Sequence, residues 1–274
     1  MTRRVAPRRL FVERGILCLA GLIFLSPVAW LFSIAYMPAR DIFSFPPRIA
    51  FTPTFDNFRT IFGFFNVPQL IASSVIISVG TTFLSLVLGV PAGYALARTH
   101  WRFAPLAAYF FLAVRMVPPV ATLIPFYMEM RDVGLLGTYW AVILLDTTLN
   151  AAFVVWMMYS YFRSIPKELE EAALADGCTQ LGAFIRVALP LVTPGLVASS
   201  LFCVILSWNN FLFPAFLTSA STKPLSVALL SAYGTKDITW GTMGALSHFL
   251  ILPIVVLALV LNRYFVAGLT RGIH

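Results

Sequence analysis

Charge is scarce in this sequence. Asp, Glu, Lys and Arg make up 11% of its 274 residues, against about a quarter in a soluble domain. With 59% hydrophobic residues and a mean hydropathy of +0.87, the chain reads as one whose main solvent is lipid, with no room for a large soluble domain. Cysteine is scarce too. Cys18, Cys178 and Cys203 are odd in number, far apart and without CxxC spacing, which excludes a disulfide framework and a zinc site and leaves small buried hydrophobes. Lysine is equally scarce, also with three residues. Lys167, Lys223 and Lys236 follow Pro166, Thr222 and Thr235, so no Gly-Lys pair exists from which to build a phosphate-binding loop. HExxH and G-x-S-x-G are absent, and His100, His248 and His274 are scattered, which makes a membrane enzyme a poor reading. The net charge of +8 falls in gaps between apolar runs. It forms no basic stripe with interleaved aromatics, so nucleic acid is not an expected partner.

What is present is long hydrocarbon. A bilayer core needs about 20 mostly apolar residues as helix, and six segments qualify: Gly15–Tyr36, Leu70–Ala97, Pro105–Tyr127, Tyr139–Phe162, Leu191–Leu217 and Met243–Phe265. The first is too long for a typical signal-peptide core and lacks a small-x-small cleavage site, so it is kept as a span. With the N-terminus inside, the inner segments hold twelve Lys and Arg, against six outside: Arg40, Arg48, Arg59, Arg131, Lys223 and Lys236. The positive-inside rule then puts both termini, and residues 164–190, in the cytoplasm. Pro91, Pro118, Pro119, Pro125, Pro194, Pro214 and Pro253 interrupt the spans or mark their ends. Each removes a backbone donor. Breaks of this kind favour a transporter over an inert bundle, since freed carbonyls in lipid need other partners.

One segment departs from this pattern. "KELEEAALADGCTQLGAFIRVALP", Lys167 to Pro190, carries Glu168, Glu170, Glu171 and Asp176, four of the eleven acidic residues. Pro166 and the glutamates suit the start of a helix. Gly177 suits its end, since glycine takes the left-handed conformation cheaply. Thr179 can cap a second helix, in which Leu181, Phe184, Ile185 and Ala188 form one apolar stripe that packs under the bundle. The first helix has small and acidic residues and no obvious core to enter. An amphipathic loop resting on headgroups would carry basic residues on its polar face, so docking against another protein is the better reading.

Glu171-Ala172-Ala173, three residues, Gly177, nine residues, then Val187-Ala188-Leu189-Pro190 resembles the EAA loop of bacterial ATP-binding-cassette (ABC) importer permeases, EAA-x3-G-x9-I-x-LP. Val187 in place of isoleucine is the one departure. "TFDNFRTIF", "MVPPVATLIPFY", "GLLGTYWAVIL", "SWNNFLFPAFL", "PLSVAL" and "GLTRG" are similar to segments of MalG-type permeases of carbohydrate importers. About residues 1–50 match only in having one span.

The resemblance implies an all-α membrane protein of the type I importer fold. Its parts would be an N-terminal segment with the first helix and a periplasmic loop (1–69), a permease domain (70–265) and a cytoplasmic tail (266–274). It implies a second permease subunit, a pair of ATPase subunits that bind ATP and Mg, an extracytoplasmic binding protein and a sugar, oligosaccharide or polyol as substrate. The location would be the bacterial inner membrane. Glu171, Ala172, Ala173, Gly177, Leu189 and Pro190 would form the ATPase-coupling loop. No cofactor or metal is expected in this chain. The loop Thr218–Thr242, with Gly234, Trp240 and Gly241, corresponds to one that reaches into the binding protein in the family; packing on its own bundle is the alternative.

Polar groups inside spans are costly and mark function or mutual pairing. Arg115, Asp146, Asn150, Trp208, Asn209, Asn210 and His248 are the candidates for a substrate pathway. Amides pair with hydroxyls, and an indole covers the C–H face of a sugar. Alternatively these groups satisfy one another, with Arg115 and Asp146 as a structural ion pair. An ion-gradient-driven secondary transporter of a small polar solute is the rival function. Such proteins often carry internal repeats, more spans and midplane ionisable groups. No repeat is evident, and only Arg115 and Asp146 would serve.

Overall fold

The computed structural model describes residues 7–46, 48, 50–232 and 240–270. Every named element is a helix. In chain order these are α1 (Pro7–Ile34), α2 (Ala39–Ile42), α3 (Asp56–Phe64), α4 (Val67–Arg98), α5 (Ala104–Val114), α6 (Pro119–Asp132), α7 (Tyr139–Arg163), α8 (Glu168–Ala175) and α9 (Gln180–Ala183). After a π-helical turn, Phe184–Ala188, follow α10 (Leu189–Leu191), α11 (Thr193–Asn209), α12 (Leu212–Leu217), α13 (Leu225–Ala232) and α14 (Trp240–Thr270). Among the described residues, four helices are long and apolar enough to span a bilayer alone, or six spans result if each of two bent pairs counts as one.

The bends correct two of the expected spans. The third, Pro105–Tyr127, is broken into α5 and α6 at an angle of 82°. Pro118 and Pro119 account for the break, because proline disfavours the helical conformation in the residue before it and supplies no donor. Pro118 is extended, with ψ at 126°. The fifth, Leu191–Leu217, begins beyond a bend of 77° and runs as helix only to Asn209. Asn210 leaves the helix with ψ at 125°, and a short α12 follows.

The chain divides into two compact units, 1–66 with 229–251 and 67–228 with 252–274. In the first, Asn57 of α3 is buried and donates from Nδ2 to the carbonyls of Ala35 and Met37, each at 2.9 Å. Gly241 lies so close to Asn57 that a Cβ there would fall 2.6 Å from its amide. The rings of Phe32, Tyr36 and Phe58 pack against His248, and Phe55 packs on Tyr36. The apolar side chains of α1 from Ile16 to Leu25 are largely exposed. Such a surface suits lipid or another membrane subunit, not water.

The second unit is built on α4 packed along α7. Small residues permit the approach. A Cβ on Gly89 would lie 2.7 Å from Val154, and one on Gly93 would lie 2.9 Å from the Val155 carbonyl. This is the small-xxx-small packing that lipid favours, where van der Waals contact and not hydrophobic burial holds helices together. Around this pair lie two apolar cores. One groups Val90, Met158 and Phe162 with Val192 and Cys203, and the other groups Ile77, Val142 and Leu145 with Phe213 and Leu217. Residues 218–226 are tied to this unit. Ser219 and Thr222 donate to the Gly137 carbonyl, Gln69 donates to the Ser221 carbonyl, and the Leu225 amide donates to Ser74 Oγ. The later part of that loop, 233–239 with Gly234, lies outside the described residues, as do the chain ends that enter the orientation reading, 1–6 and 271–274.

Candidate functional site

Two places in the second unit concentrate the polar groups. The first is a cavity of about 310 Å³ among α7, α11 and the break between α5 and α6, lined by Arg115, Asp146, Asn150, Asn209 and Asn210 together with apolar side chains. Five of the seven pathway candidates therefore meet in one place. Trp208 does not: it is buried outside this lining. His248 does not either. It belongs to the first unit, where Nδ1 lies 2.8 Å from the Gly244 carbonyl and its ring packs against Phe32 at 3.9 Å.

Asp146 is buried, and its carboxylate accepts from Ser207 Oγ at 2.8 Å and from Asn210 Nδ2. No ion pair joins it to Arg115 among the described residues. Arg115 is the C-cap of α5, at the break and not within a continuous span, and its guanidinium lies over the Phe153 ring, 5.4 Å from the centroid. The ion-pair alternative is thereby replaced by a hydrogen-bonded carboxylate and a separate cation on the same cavity. Asn210 is the joint of this arrangement. Its Nδ2 reaches α7, its Oδ1 accepts the Leu212 amide at the start of α12, and its carbonyl accepts Ser226 Oγ from α13. Asn150 turns its amide to the Asp146 carbonyl at 3.0 Å and leaves Oδ1 buried without a partner. That unpaired acceptor is open to a hydroxyl or a water.

The second place is the charged segment. Gly177 has φ +89°, and the Cys178 amide returns to the Ala173 carbonyl while that of Gly177 returns to Leu174. This is a Schellman ending. Thr179 Oγ1 accepts the Gly182 amide at 3.1 Å and starts α9. Two expectations fail here. The stripe Leu181, Phe184, Ile185 and Ala188 does not share one face: Phe184 and Ala188 pack inward with Ala183, while Leu181 and Ile185 are exposed. The π-helical turn from Phe184 to Ala188 inserts an extra residue per turn and shifts the register.

The first helix also has a core to enter, through Glu170. Its carboxylate accepts from Arg98 Nε at 2.9 Å and Tyr94 Oη at 2.7 Å, and Arg98 Nη1 reaches the Phe162 carbonyl at 2.9 Å. Burial alone pushes the Glu170 carboxyl up. The hydrogen bonds from Arg98 and Tyr94 and the charges of Arg98 and Lys167 outweigh burial and hold it below the usual carboxylate range. One residue therefore fixes α8 to the ends of α4 and α7. Glu171 and Ala172 point out, Ala173 is half-buried, Leu189 is half-buried and Pro190 is exposed. Among the acidic residues of this segment, only a partner 72 positions away distinguishes Glu170 from Glu171, so its role has no local signal.

Residues 85–271, more than half of the chain, match the family model described as "Binding-protein-dependent transport system inner membrane component". The chain belongs to that family, and is an inner-membrane permease component. It is 34% identical over 255 residues to the trehalose transport system permease protein SugB of Mycobacterium tuberculosis, covering 90% of this chain and 91% of that protein. It is 33% identical over 260 residues to the diacetylchitobiose uptake system permease protein DasC of Streptomyces coelicolor, covering 92% and 91%. Its fold matches a chain in the crystal structure of a bacterial ABC transporter that imports the acidic polysaccharide alginate, with a TM-score of 0.77 at 24% identity over 96% of this chain and all of that one.

Proposed function

We propose that this chain is one of two permease subunits of an ATP-driven, binding-protein-dependent importer for a sugar, oligosaccharide or polyol. Relatives that cover nine-tenths of the chain are named for trehalose and diacetylchitobiose transport, which supports a carbohydrate substrate. The observation that carries the coupling role is α8 itself. It is locked on its inner side by Glu170 and Arg98, while Leu169, Glu171 and Ala172 remain exposed away from that contact. A rigidly held helix with an uncovered outer face is a lever for an external partner.

That partner is a separate ATPase pair, which binds ATP and Mg; this chain carries no catalysis and no cofactor. Glu171, Ala172, Ala173, Gly177, Leu189 and Pro190 form the coupling loop on the cytoplasmic side, with both termini inside. Residues 1–69, 70–265 and 266–274 are its N-terminal segment, permease domain and tail. An extracytoplasmic binding protein delivers substrate from the other side, where the loop Thr218–Thr242 follows the fifth span. The cavity of Arg115, Asp146, Asn150, Asn209 and Asn210 is this subunit's contribution to the pathway; Asn150 Oδ1 and Arg115 are its free acceptor and donor. Trp208 and His248 are assigned to packing.

The test is co-purification of the ATPase with this chain, followed by sugar-stimulated hydrolysis in liposomes. Loss of uptake on adding an uncoupler, with no need for an ATPase, would favour the ion-gradient transporter instead.

A further inference from the structure

A second polar cavity borders the charged segment, with which it shares Lys167. It has a volume of about 290 Å³ and sits where α4 ends, α5 begins and α7 ends. Four cationic or titratable nitrogen groups line it: His100, Arg102, Arg163 and Lys167. No carboxylate does. None of Arg102, Arg163 and Lys167 takes part in an ion pair among the described residues. Glu170, a carboxylate whose acidity Lys167 helps to raise, is occupied by Arg98 and Tyr94.

The other lining groups also suit an anion. Tyr159 is 7% exposed, and its hydroxyl accepts from Arg163 Nη1 at 3.1 Å, which leaves its own proton to donate. Ala104 and Pro105 bring in the first turn of α5, a helix with no side-chain cap, whose positive end favours negative charge. Trp101 is half-exposed on the same lining, and tryptophan at the end of apolar helices belongs at headgroup level.

We infer that this cavity binds a phosphate oxyanion, supplied by the headgroup of an anionic phospholipid. His100, Arg102, Arg163 and Lys167 are exposed, so their mutual repulsion is screened in part by water and salt, and an anion seated among them would remove the rest. The only anion that a membrane protein meets continuously at the ends of its spanning helices is the lipid phosphate, and basic pockets between such helices are where acidic headgroups settle. Free inorganic phosphate shares the chemistry. The lipid is favoured by the position of the cavity, with Trp101 beside it and the apolar faces of α4 and α5 leading from it.

The experiment uses the full chain in its purified transporter complex. Bound lipid is extracted and quantified, and the complex is then titrated by native mass spectrometry with short-chain phosphatidylglycerol, phosphatidylcholine and inorganic phosphate. The expected result is retained anionic lipid, with phosphatidylglycerol binding that weakens with salt. Arg102→Gln with Arg163→Gln should weaken it about 25-fold, about fivefold for each charge removed. Arg102→Lys with Arg163→Lys should keep most of it. Saturation by inorganic phosphate with no preference for lipid would overturn the lipid source. Equal binding of phosphatidylcholine, or undiminished phosphatidylglycerol binding in the glutamine variant, would overturn the site. If the glutamine variant does not assemble, wild-type binding that is insensitive to salt would overturn the site in its place.

Discussion

At the scale of single residues, two carboxylates hold the polar architecture, and each is fixed by hydrogen bonds that cross between helices. Asp146 is satisfied by Ser207 and Asn210. A hydrogen bond to a charged group contributes about 1.5–3 kcal/mol, and stranding the charge costs more. Asn210→Ala should therefore lower stability by about 2–3 kcal/mol, and it also removes the acceptor of the Leu212 amide. Asn210→Asp should do worse, by placing a second carboxylate against the first. Thermal unfolding in detergent reads both, and an Asn210→Asp variant as stable as wild type would show that the Asp146 contact is unimportant.

Glu170 gives a pH signature. Its pKa is lowered in the folded chain, so its contribution is complete above the ordinary carboxylate range near 4.3 and is lost as pH falls through the lowered value. Wild type should exceed Glu170→Gln in thermal stability from neutral pH down to about pH 4 and converge on it only below. A gap that closes well above pH 5 would contradict the Arg98 pairing.

At the scale of elements, what is legible in the sequence is what depends on neighbours in the chain. Apolar runs locate the helices because spanning requires only length and hydrocarbon. Gly177 marks the end of α8 because its φ of +89° is a local requirement. The breaks are less legible. Pro118 and Pro119 are visible, but whether a proline kinks or ends a helix depends on what receives the freed carbonyls. The break at Asn210 depends on Asp146, 64 positions earlier, and no local pattern announces it. The role of Glu170 is hidden for the same reason, and the π-helical turn displaces Leu181 and Ile185 from the face that a regular helix would give them.

Two substitutions separate local from tertiary causes. Gly177→Val puts a β-branched residue at positive φ, at a cost of about 1–2 kcal/mol, and nothing lies within 4 Å of the added Cβ. The spans should insert normally while α8 loses its ending. Gly89→Leu should disrupt the α4–α7 contact itself, where Val154 and the Ala151 carbonyl stand in the way. Overpacking there should cost about 1–3 kcal/mol or more, with reduced yield of folded chain. If Gly89→Leu is neutral, close approach of α4 and α7 is not what holds this unit together.

At the scale of the whole molecule, the chain belongs to a family of inner-membrane components of binding-protein-dependent transport systems. The exposed apolar face of α1 suits lipid or a membrane subunit, whereas the exposed residues of α8 lie in the charged segment between spans. Glu171→Lys reverses charge on the outer face of α8 without touching a span. It should leave the permease pair intact and reduce ATPase attachment or the coupling of hydrolysis to uptake.

The most direct measurement of the central claim is transport in liposomes. Vesicles hold this chain with its partner permease and ATPase, with binding protein and sugar on the extracytoplasmic side. The full assembly should show sugar-stimulated ATP hydrolysis and uptake, no uptake when the ATPase or the binding protein is left out, and hydrolysis uncoupled from uptake in Glu171→Lys or Gly177→Val. Uptake by this chain alone, driven by an ion gradient and insensitive to both α8 variants, would contradict it.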